Sequence, residues 1–263
     1  MIYGLYLSAA GVVTSSHRQD VIANNLANAE TPGFKRDVAL FQQRLTEAQT
    51  RRRGIGIGLA SDDRSVDLLE NLGGGILASP TLVDSRQGDL DRTGSPLDVA
   101  ILGDGYFAVT DRGETRLTRN GRFMLDKEGY LVLSDAAGHK VLDPEGKPVR
   151  LPPGGEAGVE IRGDGLITRN GQQLGKLGVF DVPDRSQLTK QGGTLMGYPD
   201  RSAIKAVANP DLHAQFIESA NVDPTIELAE LMETQRQLEA NANMIRFQDQ
   251  TLQKLVNEVG KIG

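Results

Sequence analysis

The sequence predicts an α+β protein: an N-terminal and a C-terminal helix pair as a coiled-coil-like domain, and the residues between them form a mostly antiparallel β domain. Three patterns carry this prediction: helical apolar spacing at the N-terminus, apolar residues seven apart near the C-terminus, and short strands between turn signals in the middle. We therefore expect an N-terminal helix in 1–35, an extended glycine-rich connector in 36–80, a β domain in 81–215 and a C-terminal helix in 216–263.

Composition excludes several classes of function. The 263 residues carry a net charge of −6 and contain no cysteine, so a nucleic-acid-binding surface and a disulfide framework are both disfavoured. The histidines His17, His139 and His213 lie far apart in the sequence, which is not the spacing of metal ligands. The sequence thus predicts no catalytic residue, no metal and no cofactor.

The first helix is predicted from apolar residues at roughly helical spacing, and it is expected to stop where Thr31 precedes Pro32. The segment has no basic region and cleavage site of the secretory type, and no stretch of the chain is apolar for long enough to span a membrane. We therefore expect no membrane insertion, and if the protein leaves the cytoplasm, something other than a cleaved signal peptide must direct its export. The candidate assembly seam on this helix comprises Leu5, Val12, Ile22 and Leu26.

Turn signals organise the middle of the chain. Glycine is dense in 51–75, which predicts the extended connector. Asp111-Arg112-Gly113 and Lys127-Glu128-Gly129 are typical of turns, and Asn120-Gly121 predicts a hairpin between the flanking strand patterns. The tetrapeptide Thr-Arg-Asn-Gly occurs at 118–121 and again at 168–171, which we interpret as repeated turn chemistry and not as a duplicated domain.

The C-terminal helix gives the strongest pattern. Asp223-Pro224 is typical of a helix start, and apolar residues then recur every seven positions, as in a coiled-coil seam. An ordinary amphipathic helix packed on a globular core is the alternative. This row comprises Leu231, Leu238, Ile245, Leu252 and Val259, and a second, imperfect row comprises Leu228, Ala242 and Val256, with Gln235 and Asp249 interrupting it.

Several stretches resemble the signatures of flagellar basal-body rod and hook proteins. The N-terminal signature is matched by 20–28 and 31–36, the C-terminal one by 218–223, and the central β motifs by 97–107, 117–123 and 126–132. The length and the central motifs are similar to the rod proteins with a β domain, namely the distal rod protein and its proximal-rod relative. The residues that carry the N-terminal motif are Ala23, Asn24, Asn25, Leu26, Ala27, Asn28, Thr31, Pro32, Gly33 and Phe34.

The resemblance implies a structural subunit and not an enzyme. It implies terminal helices that form an inner tube, a β domain outside it, and export by the flagellar type III apparatus to a rod that spans the periplasm. The implied partners are further copies of the chain in a helical homopolymer, other rod and hook proteins, the rings that surround the rod, and the export apparatus. It implies no nucleic-acid partner.

Three alternatives stay open at this point. A hook-type axial protein would share both terminal signatures. A non-flagellar coiled-coil module for adhesion would explain the seven-residue spacing but not both signatures. A secreted β-rich hydrolase would need a cleft with converging acids, and the sequence offers no such pair. The tripeptide Arg162-Gly163-Asp164 matches an adhesion motif, but we interpret it as a turn.

Overall fold

The computed structural model describes residues 2–43, 76–152 and 158–259; the glycine-rich stretch 51–75 lies outside the described residues. Within these ranges the chain has a helix at each end, α1 (Ile2–Ala27) and α2 (Pro224–Val259), and short strands between them. The α+β class with a central, mostly antiparallel β region is therefore confirmed.

The β-strands of the described residues are short, most of them two to five residues long. In chain order they are β1 (Asp37–Gln43), β2 (Ile76–Val83), β3 (Leu90–Arg92), β4 (Val99–Ile101), β5 (Tyr106–Asp111), β6 (Glu114–Thr118), β7 (Phe123–Leu125), β8 (Leu131–Leu133), β9 (Lys140–Val141), β10 (Val159–Ile161), β11 (Leu166–Arg169), β12 (Gln172–Lys176), β13 (Val179–Asp181), β14 (Thr189–Lys190), β15 (Met196–Gly197), β16 (Lys205–Ala206), β17 (Leu212–Ala214) and β18 (Phe216–Glu218).

The largest sheet has the order β14-β15-β6-β5-β9-β8-β7, and β13 joins it by pairing with β5 and β16. A three-stranded sheet contains β10, β11 and β12, and three further pairs are β1–β2, β3–β18 and β4–β17. The last two pairs are antiparallel and join strands more than 100 positions apart in sequence, with Glu218 opposite Leu90 and Leu212 opposite Ile101. The end of the β region thus returns to its beginning.

The chain divides into two compact units. Unit 1 comprises Met1–Asn24, Val38–Thr81 and Thr225–Gly263, and unit 2 comprises Asn25–Asp37 and Leu82–Pro224. The division differs from the expected domains because the residues that follow α1 belong to the unit of the β region. In addition, β1 and most of β2 occupy positions where the sequence predicted a connector.

Apolar side chains from most strands of unit 2 form its core. Phe107 and Phe123 meet edge to face with ring centroids 5.1 Å apart, and Leu117, Leu131 and Ile167 are fully buried. Removing such side chains from water is the main stabilising term for a β region of short strands. This core fixes the positions of the polar groups of unit 2 that pack beside it.

Two of the predicted turns are confirmed. Arg112 and Gly113 both have positive φ, 49° and 85°, and connect β5 to β6 in an antiparallel hairpin. Gly129, with φ of 85°, lies in the turn between β7 and β8. Positive φ at both central positions matches the right-handed twist of the paired strands, which is why glycine is favoured there.

The hairpin predicted at Asn120-Gly121 is wrong. Strand β6 pairs with β5 and β15, whereas β7 pairs with β8, so the strands on either side of Asn120-Gly121 do not pair with each other. The carbonyl of Gly121 instead accepts a hydrogen bond from the N–H of Val99, at 2.9 Å. The second copy of the tetrapeptide does form a hairpin turn, between β11 and β12, with φ of 51° at Asn170 and 82° at Gly171.

Candidate functional site

Three sequence motifs meet inside unit 2, next to the points where the chain leaves α1 and approaches α2. We call this region the junction; it comprises 33–37, 119–121 and 218–221. The N–H of Gly33 donates to the carbonyl of Glu218 at 2.7 Å, and the N–H of Asn221 donates to the carbonyl of Phe34 at 3.4 Å. The segments that follow the first helix and precede the last one therefore lie side by side.

A buried cluster of three charged side chains lies at the centre of the junction. Lys35 Nζ donates to Glu218 Oε1 at 2.5 Å, and Arg119 Nη1 donates to Glu218 Oε2 at 3.1 Å. Lys35 and Glu218 are each 1% exposed and Arg119 is 4% exposed. Burial lowers the pKa of Lys35, and the carboxylate of Glu218 offsets part of that effect. One carboxylate thus compensates two cations from distant parts of the chain.

Backbone groups complete this cluster. Lys35 Nζ also donates to the carbonyl of Arg86 at 2.7 Å, and Arg119 Nη2 donates to the carbonyl of Gly103 at 2.6 Å. The N–H of Gly88 donates to Glu218 Oε1 at 3.0 Å. A buried ion pair is tolerated only when its remaining polar atoms are hydrogen-bonded, and these contacts meet that requirement for most of them.

Close backbone packing explains Gly33 in the Thr31-Pro32-Gly33 motif. Gly33 has φ of 68°, and a Cβ at this position would overlap the backbone of Arg119 and Asn120. Only glycine combines this conformation with so close an approach. The N-terminal motif is therefore fitted directly against the central β motif.

A further cation covers the aromatic ring of the N-terminal motif. Lys190 Nζ lies 3.6 Å from the ring centroid of Phe34 and donates to Asp37 Oδ2 at 2.8 Å. Burial lowers the pKa of Lys190, and the hydrogen bond to Asp37 offsets part of that effect. Phe34 itself is almost completely buried. Strand β14 thus holds the segment that leads from α1 into β1.

Two amide side chains in the junction and next to it act as backbone clamps. The amide of Asn25 donates to the carbonyl of Asp37 and accepts from its N–H, both at 2.9 Å. Asn221 accepts from the N–H of Arg36 at 2.7 Å and donates to the carbonyl of Asp84 at 3.0 Å. Among the predicted motif residues, Asn25 is buried, whereas Ala23, Asn24 and Ala27 are exposed.

Asn25→Ala should lower the free energy of unfolding of unit 2 by about 2 kcal/mol, because the substitution leaves a buried N–H and carbonyl of Asp37 without these partners. Chemical denaturation followed by circular dichroism measures the change. Gln173→Ala, at an exposed position of unit 2, is the control and should change the value by less than about 0.5 kcal/mol. Equal effects of the two substitutions would show that the clamp is unimportant.

In unit 1, glycines on α1 face polar side chains on α2. A Cβ on Gly4 would lie 2.8 Å from Gln248 Nε2, and a Cβ on Gly11 would lie 2.7 Å from Asn241 Nδ2. Gly4 and Gly11 are seven residues apart on α1. Their partners Gln248 and Asn241 are also seven residues apart on α2, and they follow each other in the opposite direction along the chain. Arg18 continues that order by bonding Glu230, with 3.4 Å between Nη2 and Oε2. Because glycine has no side chain, α2 can approach α1 closely at these positions.

The predicted seam residues differ in burial within a single chain. Ile22 is buried, and Leu228 is exposed. The side chain of Val259 lies outside the described residues. Half-buried are Leu5, Val12, Leu26, Leu231, Leu238, Ile245 and Leu252.

Within a single chain the members of the predicted second row on α2 differ in burial, and Ala242 is half-buried. Leu228 and Val256 are exposed, and the buried or half-buried row next to the leucine row is polar. This row comprises Glu227, Thr234, Asn241 and Gln248. Gly4 and Gly11 of α1 leave room for the amide side chains of this polar row. Whether these residues form an assembly seam stays a prediction.

Both helices of unit 1 also expose large apolar side chains. The exposed fractions are 63% for Val13, 68% for Phe247 and 70% for Val256, and Tyr6 and Met244 are exposed as well. No helix among the described residues offers an apolar stretch that could cross a bilayer. The same part of the chain holds no group of three acidic, histidine or cysteine side chains placed to bind a metal ion.

Comparison with known proteins identifies the family. The protein-family model described as "Flagella basal body rod protein" matches residues 5–35. That described as "Flagellar hook protein FlgE/F/G D1 domain" matches 100–169, and "Flagellar basal body rod FlgEFG protein C-terminal" matches 213–258. The first and last matches both include residues of the junction, 33–35 and 218–221.

Relatives match over nearly their whole length. The flagellar basal-body rod protein FlgF of Caulobacter vibrioides is 31% identical over 260 residues, which cover 98% of each chain. The rod protein FlgG of Bacillus subtilis is 30% identical over 279 residues, covering 98% of this chain and 99% of the relative. FlgG of Buchnera aphidicola subsp. Schizaphis graminum is 32% identical over 268 residues, covering 97% and 99%. The chain therefore belongs to the flagellar basal-body rod protein family, whose members are structural proteins and not enzymes.

Proposed function

We propose that the chain is exported by the flagellar type III apparatus and polymerises through α1 and α2 into the torque-transmitting rod that spans the periplasm. The observation that carries this proposal is the apolar surface that both helices of unit 1 expose, with Val13, Phe247 and Val256 as its most exposed members. Scattered apolar residues are normal on a surface, but here they concentrate on the two elements that the family models match at the chain ends.

The charge distribution of α1 supports the same function. Among the described side chains of this 26-residue helix, the ionisable groups are Tyr6, His17, Arg18 and Asp20. A helix that is apolar or neutral on nearly every side is typically covered by neighbours. Contact with α2 covers the side that carries Gly4 and Gly11. The side that carries the exposed Val13 is left for another subunit.

Two different surfaces of α2 would then have two different roles. The half-buried row with Leu238 and Ile245 would hold α1 of the same chain in a coiled-coil-like arrangement, and the exposed Met244 and Phe247 would contact a neighbouring subunit. Identical contacts repeated by a rotation that does not close produce a helical polymer. Other rod proteins, hook proteins and the surrounding rings would be the neighbours at the ends and sides of that polymer.

Thiol labelling tests this assignment directly. The chain contains no cysteine, so Val13→Cys and Val256→Cys each introduce a single thiol at an exposed position. We expect both thiols to react rapidly with maleimide in the purified monomer and to be protected in isolated basal bodies. The same basal bodies should label fully after denaturation, which serves as the control. Equally rapid labelling in monomer and native basal body would exclude these helices from the subunit interface.

A further inference from the structure

Glu218 occupies a special place in the order of the chain. Its carboxylate bonds Lys35, which is 183 positions earlier, and Arg119, which is 99 positions earlier. Its carbonyl also accepts the N–H of Gly33, at 2.7 Å. One residue near the end of unit 2 therefore joins its first segment to its middle.

Two strands near the start of unit 2 also depend on its last segment for their pairing. Within the described residues, β3 pairs with β18 and β4 pairs with β17, and neither has another strand partner. Because β17 and β18 supply all of these pairings, the early strands β3 and β4 cannot form their ladders of hydrogen bonds before 212–218 is available. The last segment thus completes both the sheet pairing and the charge cluster.

Without Glu218, the cluster would contain two buried cations that share a site. The two charges act on each other, since the charge of Arg119 lowers the pKa of Lys35. Leaving one buried charge uncompensated typically costs several kcal/mol, and here two would be uncompensated. A partly available chain would therefore avoid bringing Lys35 and Arg119 together.

We propose that Glu218 is the closing residue of unit 2, so that the junction and the adjacent hairpin β5–β6 do not fold stably until 212–218 is available. Arg119 directly follows β6, and its guanidinium lies over the ring of Tyr106 in β5, 5.1 Å from the centroid. The charge cluster is in this way coupled to the centre of the largest sheet.

If the chain is exported through a narrow channel, as the proposed function has it, the charge cluster cannot form during most of the passage. Lys35 lies near one end of the chain and Glu218 near the other. Whichever end enters a narrow channel first, the cluster stays incomplete until most of the chain has passed. The isolated chain should show the same folding order whether or not it is exported and assembled as proposed.

Pulsed hydrogen exchange during refolding of the full chain tests the proposal. We expect the peptide that covers β5 and β6 to gain protection in the same kinetic phase as the peptide that covers 212–219. The three-stranded sheet β10–β12 has no residue in the cluster and is the internal reference. Protection of β5–β6 in an earlier phase than 212–219 would overturn the proposal, and this result requires no variant.

Two variants sharpen the result. Glu218→Gln should raise the equilibrium constant of unfolding at least about 100-fold, whereas Glu160→Gln, at an exposed position of the same unit, should change it less than about threefold. In the triple variant Lys35→Met, Arg119→Met and Glu218→Leu, the charges are gone, so β5–β6 should gain protection ahead of 212–219. Synchronous protection in that variant would show that strand pairing alone, and not the charge cluster, sets the order.

Discussion

Gly121→Ala should unfold unit 2 or destabilise it by at least about 3 kcal/mol, because a Cβ at this position would overlap the carbonyl oxygen of Val99. The overlapping atom belongs to the backbone of a fully buried strand, so no side-chain rotation can relieve it. The N–H of Val99 also donates to the Gly121 carbonyl, and moving the strands apart would break that hydrogen bond. Thermal and chemical unfolding of the purified chain measures the effect.

Gly113→Ala is the matched control for this substitution. Gly113 has φ of 85° but no atom within 4 Å of an added Cβ, so alanine there should cost only the left-handed conformation, about 1 kcal/mol. The two glycines thus separate steric overlap from backbone strain. If Gly121→Ala were no worse than Gly113→Ala, the close approach of Gly121 to β4 would be incorrect.

Ile245→Asp should abolish swimming while the melting transition of unit 2 stays unchanged. Ile245 is the middle member of the row from Leu231 to Val259, and a carboxylate without a partner in a buried seam costs several kcal/mol. Every subunit of a polymer would carry that cost. Since Ile245 is already half-buried in a single chain, the substitution should also reduce the helical signal of unit 1 in the monomer.

Asp249→Asn provides the control for the seam. Asp249 is exposed and interrupts the predicted second row, so its neutralisation should leave both swimming and melting unaffected. Normal swimming of the Ile245→Asp strain would show that the row is not an assembly seam. A lowered melting temperature of unit 2 in that variant would instead favour the simple amphipathic helix packed on a globular core.

The elements that sequence reasoning predicted are those governed by local chemistry. Apolar spacing predicted both helices, and positive-φ turns followed from Arg112-Gly113 and from the glycine of Lys127-Glu128-Gly129. Asn120-Gly121 misled because the same dipeptide that forms a turn at 170–171 is held, at 120–121, by tertiary contacts with β4. Local turn preference is a weak term beside the packing of a buried segment.

The charge cluster could not be predicted in this way. Lys35, Arg119 and Glu218 each lie inside a recognised motif, but nothing in their spacing indicates that they meet. The polar inward row of α2 left a better signal, since Thr234, Asn241 and Gln248 are seven residues apart, as are Gly4 and Gly11 on α1. The equal spacing of the glycines on α1 and of these polar residues on α2 is the sequence signal of the polar inward row.

Unit 2 continues into unit 1 at four points of the chain, and the hydrogen bonds of the junction link the segments next to all four. Asn25 bonds Asp37, the N–H of Asp84 donates to the Arg36 carbonyl at 2.8 Å, and Asn221 bonds both Arg36 and Asp84. These hydrogen bonds hold the four segments together within unit 2. If the chain transmits torque as proposed, a load that enters unit 2 along one segment would be distributed over the other three and would not fall on a single hydrogen bond.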